Sequence, residues 1–176
     1  MKGIVFTEFL DMVENVFSAD MVAEIIAETR PKSGGAYLAK GHYHHREMVD
    51  MVIALSRVTE QPVESLLYAF GQYLFGRFAT LCPVYFEDAE DPLDFLQRIE
   101  DVILVNVEES HHDAEQVRFA FTRPDEGTLE LEYMSPRGMG DLAHGLIDGC
   151  IAHFEQPVTV ARRELANGTE EFVIRR

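Results

Sequence analysis

The spacing of apolar residues changes character part-way along this chain, and that change limits the folds open to it. Up to about residue 109 the apolar positions recur every three to four residues; from Val117 they alternate, return once to helical spacing, and alternate again. In "IVFTEFLDMVENVF" they fall at 5, 6, 9, 10, 12, 13, 16 and 17. Ser18 is placed to cap a second helix, "ADMVAEIIAET". Residues 30–45, "RPKSGGAYLAKGHYHH", carry no period and read as a loop. "REMVDMVIALSRVTE" reads as a helix, and Gln61 and Pro62 open another, "PVESLLYAFGQYLFGRFATL", which Pro83 ends. Asp91 and Pro92 form an N-cap and first-turn pair for a helix over 92–109, "PLDFLQRIEDVILVNVEE".

Beyond that point "QVRFAFTR" sets Val117, Phe119 and Phe121 on one face, "PDEG" reads as a turn, and "TLELEY" sets Leu129, Leu131 and Tyr133 on one face. "DLAHGLIDGCIAHF" (141–154) has helical spacing, and "PVTVARRELANGTEEFVIRR" reads as two strands around Asn167-Gly168. The expected fold is α+β: a helical N-terminal part packed on a four-stranded antiparallel sheet of two hairpins. A length of 176 residues suits a single domain over 1–176.

The charge narrows the partners. Thirty-one acids against 15 Lys and Arg give a net charge of −16, which argues against nucleic acid and against an anionic membrane surface. No apolar run is long enough to span a bilayer, and the first helix carries acids where a signal peptide needs an uninterrupted apolar core. A cytoplasmic protein is expected. Cys82 and Cys150 form no disulfide or metal framework by spacing.

One motif carries chemistry. In "EYMSPRGM" (132–139), Tyr133, Ser135 and Arg137 stand at alternate positions, and alternate side chains of an extended segment point the same way. Pro136 biases Ser135 toward an extended backbone. Two hydroxyls and a planar guanidinium would converge as a clamp for one or two carboxylates. A helix starting near residue 140 would add its positive end. The motif taken alone is better read as a strand end with a solvated arginine and a tyrosine at the sheet edge.

The motif does not stand alone. "ELEYMSPRGMGDLAHGLIDGCIAHFEQPVTV", the opening "MKGIVF", the helix before "CPVYF", and "LDFLQRIEDVILVNV" together resemble the heme nitric oxide/oxygen binding family (H-NOX, also HNOB) over essentially the whole chain. The resemblance implies an H-NOX-like fold and a heme cofactor whose two propionates are held by Tyr133, Ser135 and Arg137. It implies a diatomic gas as ligand and a signalling partner such as a histidine kinase or a diguanylate cyclase. The family's axial histidine falls on Ile103, and no histidine occurs between residues 46 and 110. Val5, Phe9, Leu74, Phe78, Leu142 and Leu146 are the positions placed around the heme. Leu142 stands where oxygen-holding members often carry a tyrosine, so an apolar wall favours nitric oxide over oxygen.

The remaining imidazoles and thiols are read as structural. His111 and His112 sit among acids, His144 and His153 lie on the helix after the motif, and His42, His44 and His45 belong to the long loop; all are read as surface or capping positions. The second reading of the chain is a heme-free regulatory or protein-interaction module of the same fold, favoured by Ile103 and opposed by the complete clamp. An enzyme is the least supported class, since no catalytic spacing stands out and the acid pairs Glu108–Glu109 and Glu170–Glu171 read as solvated faces.

Overall fold

The computed structural model describes residues 1–86, 89–99, 117–166 and 168–176. The N-terminal part contains α1 (Gly3–Val16), α2 (Ala19–Thr29), α3 (His45–Thr59) and α4 (Val63–Leu81), followed by a short 3-10 turn (Pro83–Tyr85) and α5 (Pro92–Gln97). Two strands, β1 (Arg118–Asp125) and β2 (Thr128–Met134), precede α6 (Gly140–Phe154), and β3 (Thr159–Glu164) and β4 (Glu170–Arg175) close the chain. The expected α+β layout is the observed one: the four strands form a sheet of order β1-β2-β4-β3 with every pairing antiparallel.

Local chemistry accounts for most boundaries. The Ser18 hydroxyl accepts a hydrogen bond from the Met21 N–H at 3.1 Å, which satisfies an otherwise orphaned donor of α2. Asp91 does the same for α5, accepting from the N–H groups of Leu93 and Asp94 with Pro92 in the first turn. The helix expected over 92–109 is described as far as Gln97, and Ile103 lies outside the described residues. Residues 30–44 form the expected loop, held down because Ser33 and Tyr37 donate to Glu47 and the N-terminal amine donates to the Tyr43 carbonyl.

The first hairpin differs from expectation. The turn is not spread over 124–127; β1 runs to Asp125, and Glu126-Gly127 alone make the reversal, with Asp125 Oδ1 accepting from the Gly127 N–H at 2.8 Å. Pro124 has no N–H to donate, but β1 is an edge strand and tolerates it through a shift of register between Thr122 and Asp125. In the second hairpin, residues 165–169 connect the strands, and Gly168 takes φ 76°. Asn167 is outside the described residues.

The buried side chains form two clusters. Phe6, Phe9, Ile25, Met48, Met51, Leu55, Phe70 and Leu74 lead the first, among α1 to α4. Leu93, Leu96, Leu129, Leu131, Ile147, Phe172 and Ile174 lead the second, between the sheet, α5 and α6. Leu146 on α6 packs against both. Helices α4 and α6 meet backbone to backbone: a Cβ on Gly145 would stand 2.0 Å from the Tyr68 carbonyl oxygen, and one on Gly71 2.4 Å from that of Leu142. Glycine is what permits this approach.

Candidate functional site

Strand β2 turns Leu129, Leu131 and Tyr133 toward the core, and Tyr133 is only 7% exposed. Burial pushes its phenol above the ordinary value; the Ser135 hydroxyl and the Arg137 guanidinium pull it back, and the Glu170 carboxylate adds to the rise. The Ser135 hydroxyl is a hydrogen-bond partner of the Tyr133 phenol and the Arg137 charge acts on it, so the three expected residues lie close together. They converge by a different route, however. Regular strand stops at Met134, and Ser135 and Arg137 lie in the following loop, where Ser135 Oγ accepts from the Arg137 N–H at 3.2 Å. A side-chain-closed turn, not an extended run, therefore aims the arginine. The Arg137 Nε is shut off from solvent without a hydrogen bond of its own, although the residue is not without partners.

Past Gly138 (φ 63°) and the buried Met139, helix α6 begins at Gly140. Its first turn holds Asp141, so a carboxylate already offsets the positive end that was expected to serve the clamp. Asp141 accepts from Arg162 Nη1 at 2.5 Å, and Arg162 also grips Glu170 through Nε (2.6 Å) and Nη2 (2.8 Å).

That ion cluster escaped the sequence reading, which placed Glu170 and Glu171 on a solvated face. Glu170 instead stands on the core-facing side, opposite Tyr133 in register, and Glu171 is 6% exposed and paired with Arg163. The missed signal was the alternation of β4, "EEFVIR": if Phe172 and Ile174 point inward, so does Glu170.

The six positions expected around a heme all belong to one buried cluster or pack against it. Phe9, Leu74 and Leu142 belong to the first buried cluster, and Val5, Phe78 and Leu146 pack against it. The histidines go elsewhere. His44 caps α3, its Nδ1 accepting from the Arg46 N–H. His153 lies against Phe75, Phe86 and Phe154. His144, expected at the surface, is half-buried: its ring meets Tyr68 and Phe172, and its Nε2 is 3.6 Å from Asp148. Cys150 is fully buried, and burial raises its thiol well above the usual range, so it stays protonated. His111 and His112 are outside the described residues, and among the described residues no metal-binding cluster is found.

The family model described as Haem-NO-binding matches residues 2–162. The chain belongs to this family. Among solved structures, a point mutant of the H-NOX protein from K. algicida, in the Fe(II) unliganded state, is 31% identical, with 99% of this chain and 96% of that one covered and a TM-score of 0.89. An H-NOX protein from S. oneidensis in the Fe(II)NO ligation state is 24% identical over 99% of this chain and 98% of its own, with a TM-score of 0.87. A mutant H-NOX from T. Tengcongensis is 20% identical over 99% and 96%, with a TM-score of 0.86. The last two likenesses speak to the fold alone. No curated protein matches the chain.

The residues present fit the H-NOX cofactor in part. A guanidinium with a dry Nε and two neighbouring hydroxyls is a donor set for carboxylates, and the apolar positions of α1, α4 and α6 offer faces for a flat macrocycle. Among the described residues, neither the placed histidines nor Cys150 offers an axial ligand in that cluster.

Proposed function

We propose that the chain is a heme-based sensor domain of the H-NOX type, spanning residues 1–176, that responds to nitric oxide. It relays its state to a signalling protein such as a histidine kinase or a diguanylate cyclase, acts in the cytoplasm, and is not itself an enzyme. The observation that carries this reading is the meeting of Tyr133, Ser135 and Arg137 between the end of β2 and the start of α6. Arg137 and the two hydroxyls would hold the propionates, and Val5, Phe9, Leu74, Phe78, Leu142 and Leu146 would cover the macrocycle. Heme, when bound, supplies the iron that takes the gas. Leu142 and its apolar neighbours offer no hydroxyl to a bound oxygen, which favours nitric oxide. Ile103, which the family resemblance sets at the axial position, has no lone pair, so the clamp and apolar burial carry the affinity without an iron bond from that residue.

The test is an absorbance titration of the purified protein with hemin, then reductant. A Soret band is expected in the wild type, and Ile103→His should turn its ferrous spectrum into that of a five-coordinate, nitrogen-ligated heme. No Soret change in either protein would refute the proposal and favour a heme-free interaction module.

A further inference from the structure

Arg162 sits on β3, yet its side chain lies on the core-facing side of the sheet: it is opposite Phe172 in register, with its guanidinium carbon 5.9 Å from that ring's centroid. There it joins three elements. Its two-pronged grip on Glu170 holds β4, and its bond to Asp141 holds the first turn of α6. All three side chains are between 21% and 25% exposed. The fit is tight at the helix start, since a Cβ on Gly140 would stand 2.2 Å from Glu170 Oε1 and 2.7 Å from Arg162 Nη2.

Two consequences follow for the clamp. Glu170 is directly across from Tyr133, at a spacing that puts cross-strand side chains in contact. An incoming carboxylate would meet this acid at close range if it were bare. The loop carrying Ser135 and Arg137 also ends at Gly140, so its far end is fixed only as firmly as the start of α6.

We propose that Arg162 is a positioning residue for the carboxylate clamp: it offsets the charge of Glu170 beside Tyr133 and, through Asp141, ties the start of α6 to the sheet so that Arg137 is presented to a ligand carboxylate. This rests on the clamp reading above. The neighbouring pair Arg163–Glu171 provides an internal control, because it is the same ion pair one residue along and on the opposite face of the sheet.

The experiment compares hemin affinity across full-length variants, with apo-protein melting temperatures confirming that each is folded. Arg162→Gln should lose about tenfold in affinity at low ionic strength, the scale of one uncompensated charge at close range, and the loss should shrink as salt rises. Arg162→Gln combined with Glu170→Gln should regain the part of the loss that is due to bare Glu170, while the part due to the lost Asp141 tie remains; a purely structural ion pair regains nothing, because the pair is absent in both. Arg163→Gln should bind as wild type. In the apo-protein, amide exchange over residues 135–139 should quicken in Arg162→Gln. Should Arg162→Gln not fold, Glu170→Gln alone decides: the proposal expects affinity equal to or tighter than wild type, and weaker binding overturns it. An unchanged Arg162→Gln, or a double variant no better than the single, also overturns it. Arg137→Ala separates the two ideas: if it weakens hemin while Arg162→Gln does not, the clamp stands and the role of Arg162 falls. If Arg137→Ala binds as wild type, both fall.

Discussion

Replacing Gly145 by alanine should separate the two helices that frame the apolar cluster. The added methyl would stand 2.0 Å from the Tyr68 carbonyl oxygen, where an ordinary carbon–oxygen contact needs roughly 3.3 Å. Backbone lies on both sides, so no rotamer change relieves the clash, and α4 and α6 must part by about 1 Å. Overpacking of this kind costs ~1–3 kcal/mol. Alanine returns ~0.5–1 kcal/mol through its better helix propensity, leaving a net loss of about 1–2 kcal/mol. For a chain of this length that lowers the melting temperature by roughly 2–8 °C, readable by circular dichroism of the apo-protein. Gly76→Ala is the matched control, since it lies within α4 with no atom of the other described residues outside its own helix turn within 4 Å of the place its methyl would occupy, and it should raise the melting temperature by roughly 1–4 °C. Because α4 carries Leu74 and Phe78 and α6 carries Leu142 and Leu146, Gly145→Ala should also weaken hemin binding while Gly76→Ala leaves it alone. A Gly145→Ala protein that melts and binds like Gly76→Ala would refute the close helix contact.

Ser18→Ala should destabilise the protein by about 1 kcal/mol through loss of the α2 cap, measured as a shift in urea midpoint with an unchanged slope. Stability should also fall in acid through Asp91. Burial would raise this carboxyl, but the Asp94 N–H, the Arg176 guanidinium and the Leu93 N–H outweigh burial and hold it below the ordinary carboxylate value. A depressed folded-state value means the contribution is complete above the unfolded value, near pH ~4, and disappears as the pH drops through the folded one. Arg176→Ala should flatten that part of the stability–pH curve, and an unaltered curve between about pH 5 and 2 would count against the pairing.

What could be read from sequence was local. The α2 cap depends on Ser18 and a residue three positions on, and the inward face of β2 follows from a period of two; both are written within a few residues. Tyr133, Ser135 and Arg137 were recognisable because all three lie within five consecutive residues, although the turn that joins them depends on a side-chain bond, not on strand geometry. The first-hairpin turn was misplaced because Pro124 usually breaks a strand, and only its position on a sheet edge lets β1 continue. The close packing of α4 on α6 joins Tyr68 to Gly145, 77 positions apart, and nothing in either helix alone announces it.

Non-local pairing explains why the acids were misjudged and why that matters for function. In a chain of net charge −16, the arginines of the described ion pairs mostly tie one element to another: Arg77 on α4 to the buried Glu8 on α1, Arg123 on β1 to Asp94 on α5, and Arg162 on β3 to Asp141 on α6. Such ties cannot be read from neighbouring residues, because they appear only once strand register and helix docking are known. A ligand with two carboxylates approaching so acidic a protein meets screened repulsion from distant charges and nearly unscreened repulsion from adjacent ones. If Tyr133, Ser135 and Arg137 hold carboxylates as proposed, the charges next to Tyr133 weigh most on that binding. Glu170 stands opposite Tyr133 in register, and Arg162, which also pairs with Asp141, is the cation that offsets it. On the proposed reading, a local motif of three donors depends for carboxylate binding on a cation 25 positions further along the chain than Arg137, reaching back across β4.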